Sequence, residues 1–499
     1  MTALTPHLPI LQVLVPLIAA VLAAFCRRGA TAWMLAIAAS WLSLLITFLL
    51  LREVIASTEP ISYVFGGWSV PFGIEYRVDR LNGFVLLIVN LVGAVLMPYA
   101  AQSVAREIDA DQQAWFYCMY LLCLAGLLGI TVTGDAFNVF VFLEISSLST
   151  YVMIAMGRHR RALLASYQYL IIGTIGASLY VIGAGLLYLS TGSLNLADIA
   201  VRLGPASAEF SRPVLAALAF LSVGICLKLA LFPLHVWLPN AYAYAPSVAA
   251  VFLAGTATKV AVYLLIRIYY SVYGAAFGVD ALPIAGVLIL LSLAAMVLAS
   301  FSAIFEQNAK RLLAYSSVAQ IGYITLGVAL ANSSGLTGGV VHLFNHAMIK
   351  AGLFMALGAV AYRTGTVSIA NLAGIGRRMP LTMAAFVIAG LGLIGVPGTA
   401  GFISKWYLAM GAIEKGYWPI AFVIVGSSLL AVVYVGKIVE TAYFREPAEA
   451  TRGASDPPAA MLAPLALLAV FTIFFGFDTR LSAGLAGDAV RMLLGGLQP

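Results

Sequence analysis

A helix needs about 20 apolar residues to cross a hydrocarbon core about 30 Å thick, and runs of that length recur about 14 times between residues 8 and 477. Nothing else in the sequence restricts the fold so strongly. Lipid offers no partner to a backbone N–H or C=O, so each run must satisfy its own peptide groups, which a helix does. Composition agrees: 62% of the 499 residues are hydrophobic and 9% are charged, against about 25% charged in a soluble domain. The sequence predicts an all-α integral membrane protein, a single membrane domain over 1–499. Its longest polar stretches are 52–82 and 442–457, the second read as an exposed connector. The first apolar run has no basic stretch before it and is followed by "CRRGA", so it reads as a membrane helix rather than a cleaved signal.

Net charge is +7, and its distribution speaks of topology rather than nucleic-acid binding. Arg27, Arg28, Arg106, Arg158, Arg160, Arg161, Lys310, Arg311, Arg363, Arg377, Arg378, Arg445 and Arg452 all fall in alternate loops. The positive-inside rule makes those loops cytoplasmic and puts both termini outside, in a bacterial-type inner (plasma) membrane. Arg77, Arg80, Arg202, Arg212 and Lys415 oppose this and are fewer. Cys26, Cys118, Cys123 and Cys226 form no CxxC pair and read as small buried hydrophobes.

Ionisable residues inside apolar runs are the informative ones, because each costs about 2.5–3.5 kcal/mol to insert unless paired or hydrated. They are Glu144, Lys228, His235, Lys259, His342, His346, Lys350 and Lys405. Glu144 lies too deep for its short side chain to reach the headgroups. Lys228 precedes Pro233, which cannot donate to the Leu229 carbonyl, so a free acceptor is expected beside the ammonium. A lysine there can give up its proton, as a guanidinium cannot. "GVPGTAGFISKW" repeats that logic, with Pro397 loosening the helix before Lys405. Paired interrupted helices in the two halves of a chain point to a transporter built from repeats. His342, His346 and Lys350, spaced four apart, form one stripe on a helix. HxxxH without an internal glutamate or a third ligand is a poor zinc site, and axial haem ligands four apart would point the same way. Arg267, near a helix end, reads as an anchor reaching the interface. The stripe reads instead as a chain of groups that exchange protons, and the spread of all eight ionisable groups over five helices suits stepwise transfer better than binding of an organic solute.

The stretches "GICLKLALFPLHVWLPNAYAYAPSVAAVFLAGTATKV", "NAKRLLAYSSVAQIGYI", "HLFNHAMIKAGLFM" and "GVPGTAGFISKW" resemble the signatures of the proton-pumping, antiporter-like membrane subunits. That family includes the A-type and D-type subunits of Mrp-type cation/proton antiporters and the large antiporter-like subunits of respiratory complex I and membrane hydrogenases. The resemblance covers roughly residues 110–440. It implies 14 membrane helices with two inverted five-helix repeats containing broken helices: N-terminal helices in 1–110, a first repeat in 111–271, a second in 272–441, and a connector and last helix in 442–499. It also implies a role for each residue. Glu144 matches the fifth-helix carboxylate that pairs with Lys228 of the broken seventh helix, and Lys259 the central lysine of the eighth. His342 and His346 match the eleventh-helix histidines, followed by Lys350. Lys405 matches the terminal site on the broken twelfth helix. His235 matches the histidine of "PLHxWLP", as part of the relay or as a brace for the break.

Within the family the resemblance implies an Mrp D-type subunit or one of that type in a related complex, since the middle complex I subunit usually has glutamate where Lys405 stands. The resulting expectation is a transporter subunit moving protons through this row, coupled to Na⁺ inside a complex of several membrane subunits, with no cofactor or metal of its own. A membrane-arm subunit of complex I or a hydrogenase is the alternative, and a stand-alone solute carrier a third reading.

Overall fold

The computed structural model describes residues 5–57, 59–203, 212–274 and 284–495. It opens with α1 (Leu8–Ala24) and α2 (Gly29–Ala56). A hairpin follows, β1 (Ile61–Val64) antiparallel to β2 (Glu75–Val78), with Ile61 opposite Val78. Then come α3 (Arg80–Glu107), α4 (Gln113–Val132), α5 (Ala136–Ala155), α6 (Arg161–Thr191) and a short surface helix α7 (Leu196–Leu203). The middle of the chain holds α8 (Arg212–Leu229), α9 (Trp237–Tyr244), α10 (Ser247–Gly255), α11 (Ala257–Ile266), α12 (Ile284–Ala294) and α13 (Ser300–Phe305). Next are α14 (Ala309–Leu330), α15 (Ser333–Thr364), α16 (Ile375–Arg378), α17 (Pro380–Ile394) and α18 (Ala400–Glu414). The chain closes with α19 (Trp418–Phe444), α20 (Ala459–Phe477) and α21 (Leu485–Gly495).

Thirteen helices among the described residues are long and apolar enough to cross a membrane. A fourteenth crossing is made by α17 and α18 in series, from the bundle end where Thr382 meets Asp456 to the end where Glu414 meets Asn332 and Ser334. Helix starts carry the side-chain caps that orphan N–H groups require: Asp79 accepts from Leu81 and Asn82, Asp135 from Asn138, Asn308 from Arg311, and Asn332 from Gly335. Two crossings are broken, as the prolines predict. α8 stops at Leu229, Ala230 takes the left-handed conformation (φ 60°), and Pro233 lies in the turns before α9. α17 stops at Gly395 (φ 87°), and Pro397 and Gly398 (φ 85°) lead into α18.

Layering follows from which helices carry polar groups. The most apolar window of α15 is entirely buried and those of α14 and the α10–α11 crossing 94% buried, whereas only 33% of those of α19 and the α12–α13 crossing is buried. The ionisable stripe therefore runs through the centre of the bundle. Close packing at the second break depends on Gly401, where an added Cβ would stand 1.8 Å from the Gly392 carbonyl oxygen. Gly401→Ala should destabilise the protein by about 3 kcal/mol, the upper range for forced overpacking. Thermal unfolding of the detergent-solubilised variant checks this.

Both long polar stretches are better ordered than the sequence implies. Within 52–82 the strands β1 and β2 form the hairpin, whose Glu75 is buried and accepts from Ser62 (2.5 Å) and Asn195 (3.0 Å). The 442–457 connector is not plainly exposed: Thr451 is fully buried against the Ala373 carbonyl, and Asp456 caps α17 through Leu381 and Thr382. A connector that must close a helix end cannot float free.

Candidate functional site

The two breaks place lysines in different ways. On α18, the Lys405 ammonium reaches back across the break and donates to the last carbonyls of α17, Leu393 (3.1 Å) and Ile394 (2.8 Å), and to Ser428 of α19 (2.9 Å). It also lies 4.6 Å from the centre of the Tyr323 ring. A cation at a helix C-terminus meets the negative end of the helix dipole. Lys228 behaves otherwise and does not donate to a carbonyl of its own break. Its ammonium turns away from the break and donates to Ser147 of α5 (2.7 Å), with Glu144 Oε1 4.0 Å distant. The Trp237 indole takes the Leu227 carbonyl instead (3.0 Å). The predicted Glu144–Lys228 pair is thus present, and Ser147, one helical turn after Glu144, is its third member.

Lys259 sits beyond a third irregularity. α10 ends at Gly255, Thr256 leaves helical geometry (φ −127°, ψ −60°), and the Lys259 ammonium donates to the Ala254 carbonyl that this leaves open. A cavity of about 20 Å³, lined by Ser146, Ser147, Thr150, Lys228 and Ala257 among others, lies between the Lys228 site and α11. That volume accommodates about one water.

On α15 the stripe is fully buried. His342 is held at both ring nitrogens, Nδ1 by Ser404 (2.7 Å) and Nε2 by Gln320 (2.9 Å). Ser404 also bonds the Gly401 carbonyl (3.1 Å). The His346 ring lies nearly parallel to His342, at 6° with centroids 5.8 Å apart, and neither of its nitrogens has a hydrogen-bond partner among the described residues. Lys350 donates to the Leu313 carbonyl (2.8 Å) and to Ser316 of α14.

His235 stands apart from the row. It lies half-buried in the first break, stacked on Phe232 (5.2 Å) and edge-on to Tyr315 (6.2 Å). Its surroundings are aromatic rather than ionisable.

Sequence reasoning missed the neutral oxygens that hold the row: Ser147, Gln320, Ser316, Ser404 and Ser428. Gln320 was the most findable, as an amide in an otherwise apolar part of α14. One charge read as an interfacial anchor and one read as a loop charge are buried. Arg267 is no anchor at the headgroups; its guanidinium pairs with Asp79 and bonds Asn82 (2.5 Å). Lys310 is 5% exposed and donates to Ser247 (2.9 Å).

Fold and site together define an antiporter-like membrane subunit. The chain belongs to the family described as "NADH:quinone oxidoreductase/Mrp antiporter, TM", whose model matches residues 133–431. It is 42% identical to "NADH-quinone oxidoreductase subunit N" of Desulforudis audaxviator over 95% of this chain and 96% of that one. It is 28% identical to the D-type subunit of the Na(+)/H(+) antiporter of Bacillus subtilis over 97% of both. A chain in the structure of the Mrp complex from Dietzia sp. superposes with TM-score 0.89 at 26% identity, covering 99% of this chain and 98% of that one.

Proposed function

We propose that this chain is the proton-translocating subunit of a multisubunit monovalent cation (Na⁺)/proton antiporter. Protons pass along Glu144, Lys228, Lys259, His342, His346, Lys350 and Lys405, with His235 bracing the first break. One observation carries the reading: Lys259, Lys350 and Lys405 are buried and bonded to carbonyl and hydroxyl oxygens rather than to carboxylates. An amine so held binds or releases a proton without breaking an ion pair. The repeats fall at 111–271 and 272–441, each with one break at a proline.

Assembly with other subunits is supported by Glu144. Its side chain is 25% exposed, between the exposed Val141 and Leu148 on the outer face of α5. A carboxylate at that depth is costly against lipid, so a neighbouring subunit covers it. The termini lie on the outer side of a bacterial-type inner membrane, supported by the basic loops Arg27–Arg28 and Arg158–Arg161 on the opposite face. The 42% identity to a subunit named for NADH-quinone oxidoreductase favours a second reading, in which redox chemistry in partner subunits drives the same row.

The test uses everted vesicles holding the chain with its co-purifying subunits. Na⁺-driven proton movement, followed with a pH dye, should fall about 100-fold in Lys259→Met, the scale set by losing one positioned proton-transfer group. Transport at the parental rate in an assembled variant sinks the proposal. Quinone-dependent and Na⁺-independent pumping would favour the second reading.

A further inference from the structure

Helix α3 belongs to neither proposed repeat, yet it grips the crossing that carries Lys259 at three levels. At one end Asp79, the N-cap of α3, pairs with Arg267, which follows α11. Asn82 joins them, accepting from Arg267 (2.5 Å) and donating to Tyr263 (2.8 Å), while Arg267 Nε donates to the same Tyr263 hydroxyl (3.3 Å). Lys259, Tyr263 and Arg267 are spaced four apart, so this knot continues the helical face that bears the lysine. At the other end Glu107, in the last turn of α3, accepts from the backbone N–H of Ser247, the first residue of α10 (2.7 Å), and from Ser103 (2.8 Å). A carboxylate there meets the positive end of the α10 dipole. Between the two ends α3 reaches the break itself: a Cβ on Gly255 would stand 2.7 Å from Val92 Cγ1. The helices run antiparallel, with Asp79 at Arg267, Val92 at Gly255 and Glu107 at Ser247.

We infer that Asp79, Val92 and Glu107 are positioning residues: α3 sets the break at Thr256 and thereby where the Lys259 ammonium stands. The N-terminal helices are then part of the relay's machinery rather than a lateral addition. This rests on the proton-transfer reading of Lys259.

The test has two readouts on the assembled complex in everted vesicles: proton-transport rate against pH, and labelling of Thr258→Cys by a small maleimide over the background of the native cysteines. Gly255→Ala and Glu107→Ala should each lower the rate about tenfold or more, the scale of an ångström-level misplacement. Both should shift the pH profile and raise Thr258→Cys labelling several-fold. Val92→Ala removes the obstructing methyls, so it should restore Gly255→Ala. Glu107→Gln keeps an oxygen for the Ser247 N–H, so it should be much milder than Glu107→Ala. Unchanged labelling and an unchanged pH profile in assembled Gly255→Ala and Glu107→Ala overturn the inference, as does failure of Val92→Ala to rescue. If the parent chain moves no protons, the proton-transfer reading fails, while the labelling result still decides whether α3 places this segment.

Discussion

Lys228→Met, Glu144→Gln and the double variant should all reach the same floor, about 100-fold or more below the parental proton-transport rate, the range for loss of a positioned acid or base. Equality of the three is the discriminating feature. The ammonium and the carboxylate stand 4.0 Å apart across α5 and α8, and Ser147 is the ammonium's hydrogen-bond partner. Groups acting as one unit lose their function when either is removed, so the second substitution adds nothing. Glu144→Gln keeps the side-chain volume and Lys228→Met keeps the stem, so assembly should persist. Dye-monitored transport alongside native electrophoresis of the complex provides the check. Losses that multiply in the double variant would mean two separate roles, and transport retained by either single variant would remove the pair from the path.

The second large effect concerns Lys405, where stability and transport should separate. Lys405→Ala leaves the Leu393 and Ile394 carbonyls without their shared donor. Two buried acceptors at about 1–3 kcal/mol each is enough to lower the melting temperature visibly. Lys405→Arg supplies donors and positive charge to the same carbonyls, so most of that stability should return. Transport should not return, because a guanidinium does not release its proton under these conditions. A Lys405→Arg variant that transports like the parent would show that the residue only holds the break. If Lys405→Ala melts at the parental temperature, the ammonium does not hold it.

These contrasts also show how far the sequence reaches. The crossings were legible because apolar runs of membrane length have one solution, and both breaks because Pro233 and Pro397 remove a donor where no water can substitute. Glu144, the four lysines and the α15 histidines stand out for the same reason: an ionisable group amid leucines has few innocent explanations. What surrounds them was not legible. Serine is common in membrane helices, and nothing local marks Ser147 or Ser404 as partners of residues on other helices. Arg267 and Lys310 were misjudged because a charge near the end of an apolar run can reach the interface or turn inward. Only the partner decides, and Asp79 and Ser247 are remote in sequence. The hairpin at Ile61–Val78 was missed because a short two-stranded element in a polar stretch has no membrane-scale signal. Asp456 as the cap of α17, 74 residues away from Thr382, depends on a fold that spacing alone does not describe.

The Ser404 hydroxyl has one hydrogen and two claimants, the Gly401 carbonyl and Nδ1 of His342. With Nε2 donating to Gln320, a neutral His342 offers a lone pair at Nδ1, and the serine's hydrogen belongs there. A charged His342 presents an N–H at Nδ1, and that hydrogen must swing to Gly401. Gly401 is the second residue of α18, four residues before Lys405. In the proposed relay, protonation of His342 therefore reverses its bond to Ser404 and moves the serine's hydrogen onto a carbonyl in the first turn of α18, one turn before Lys405.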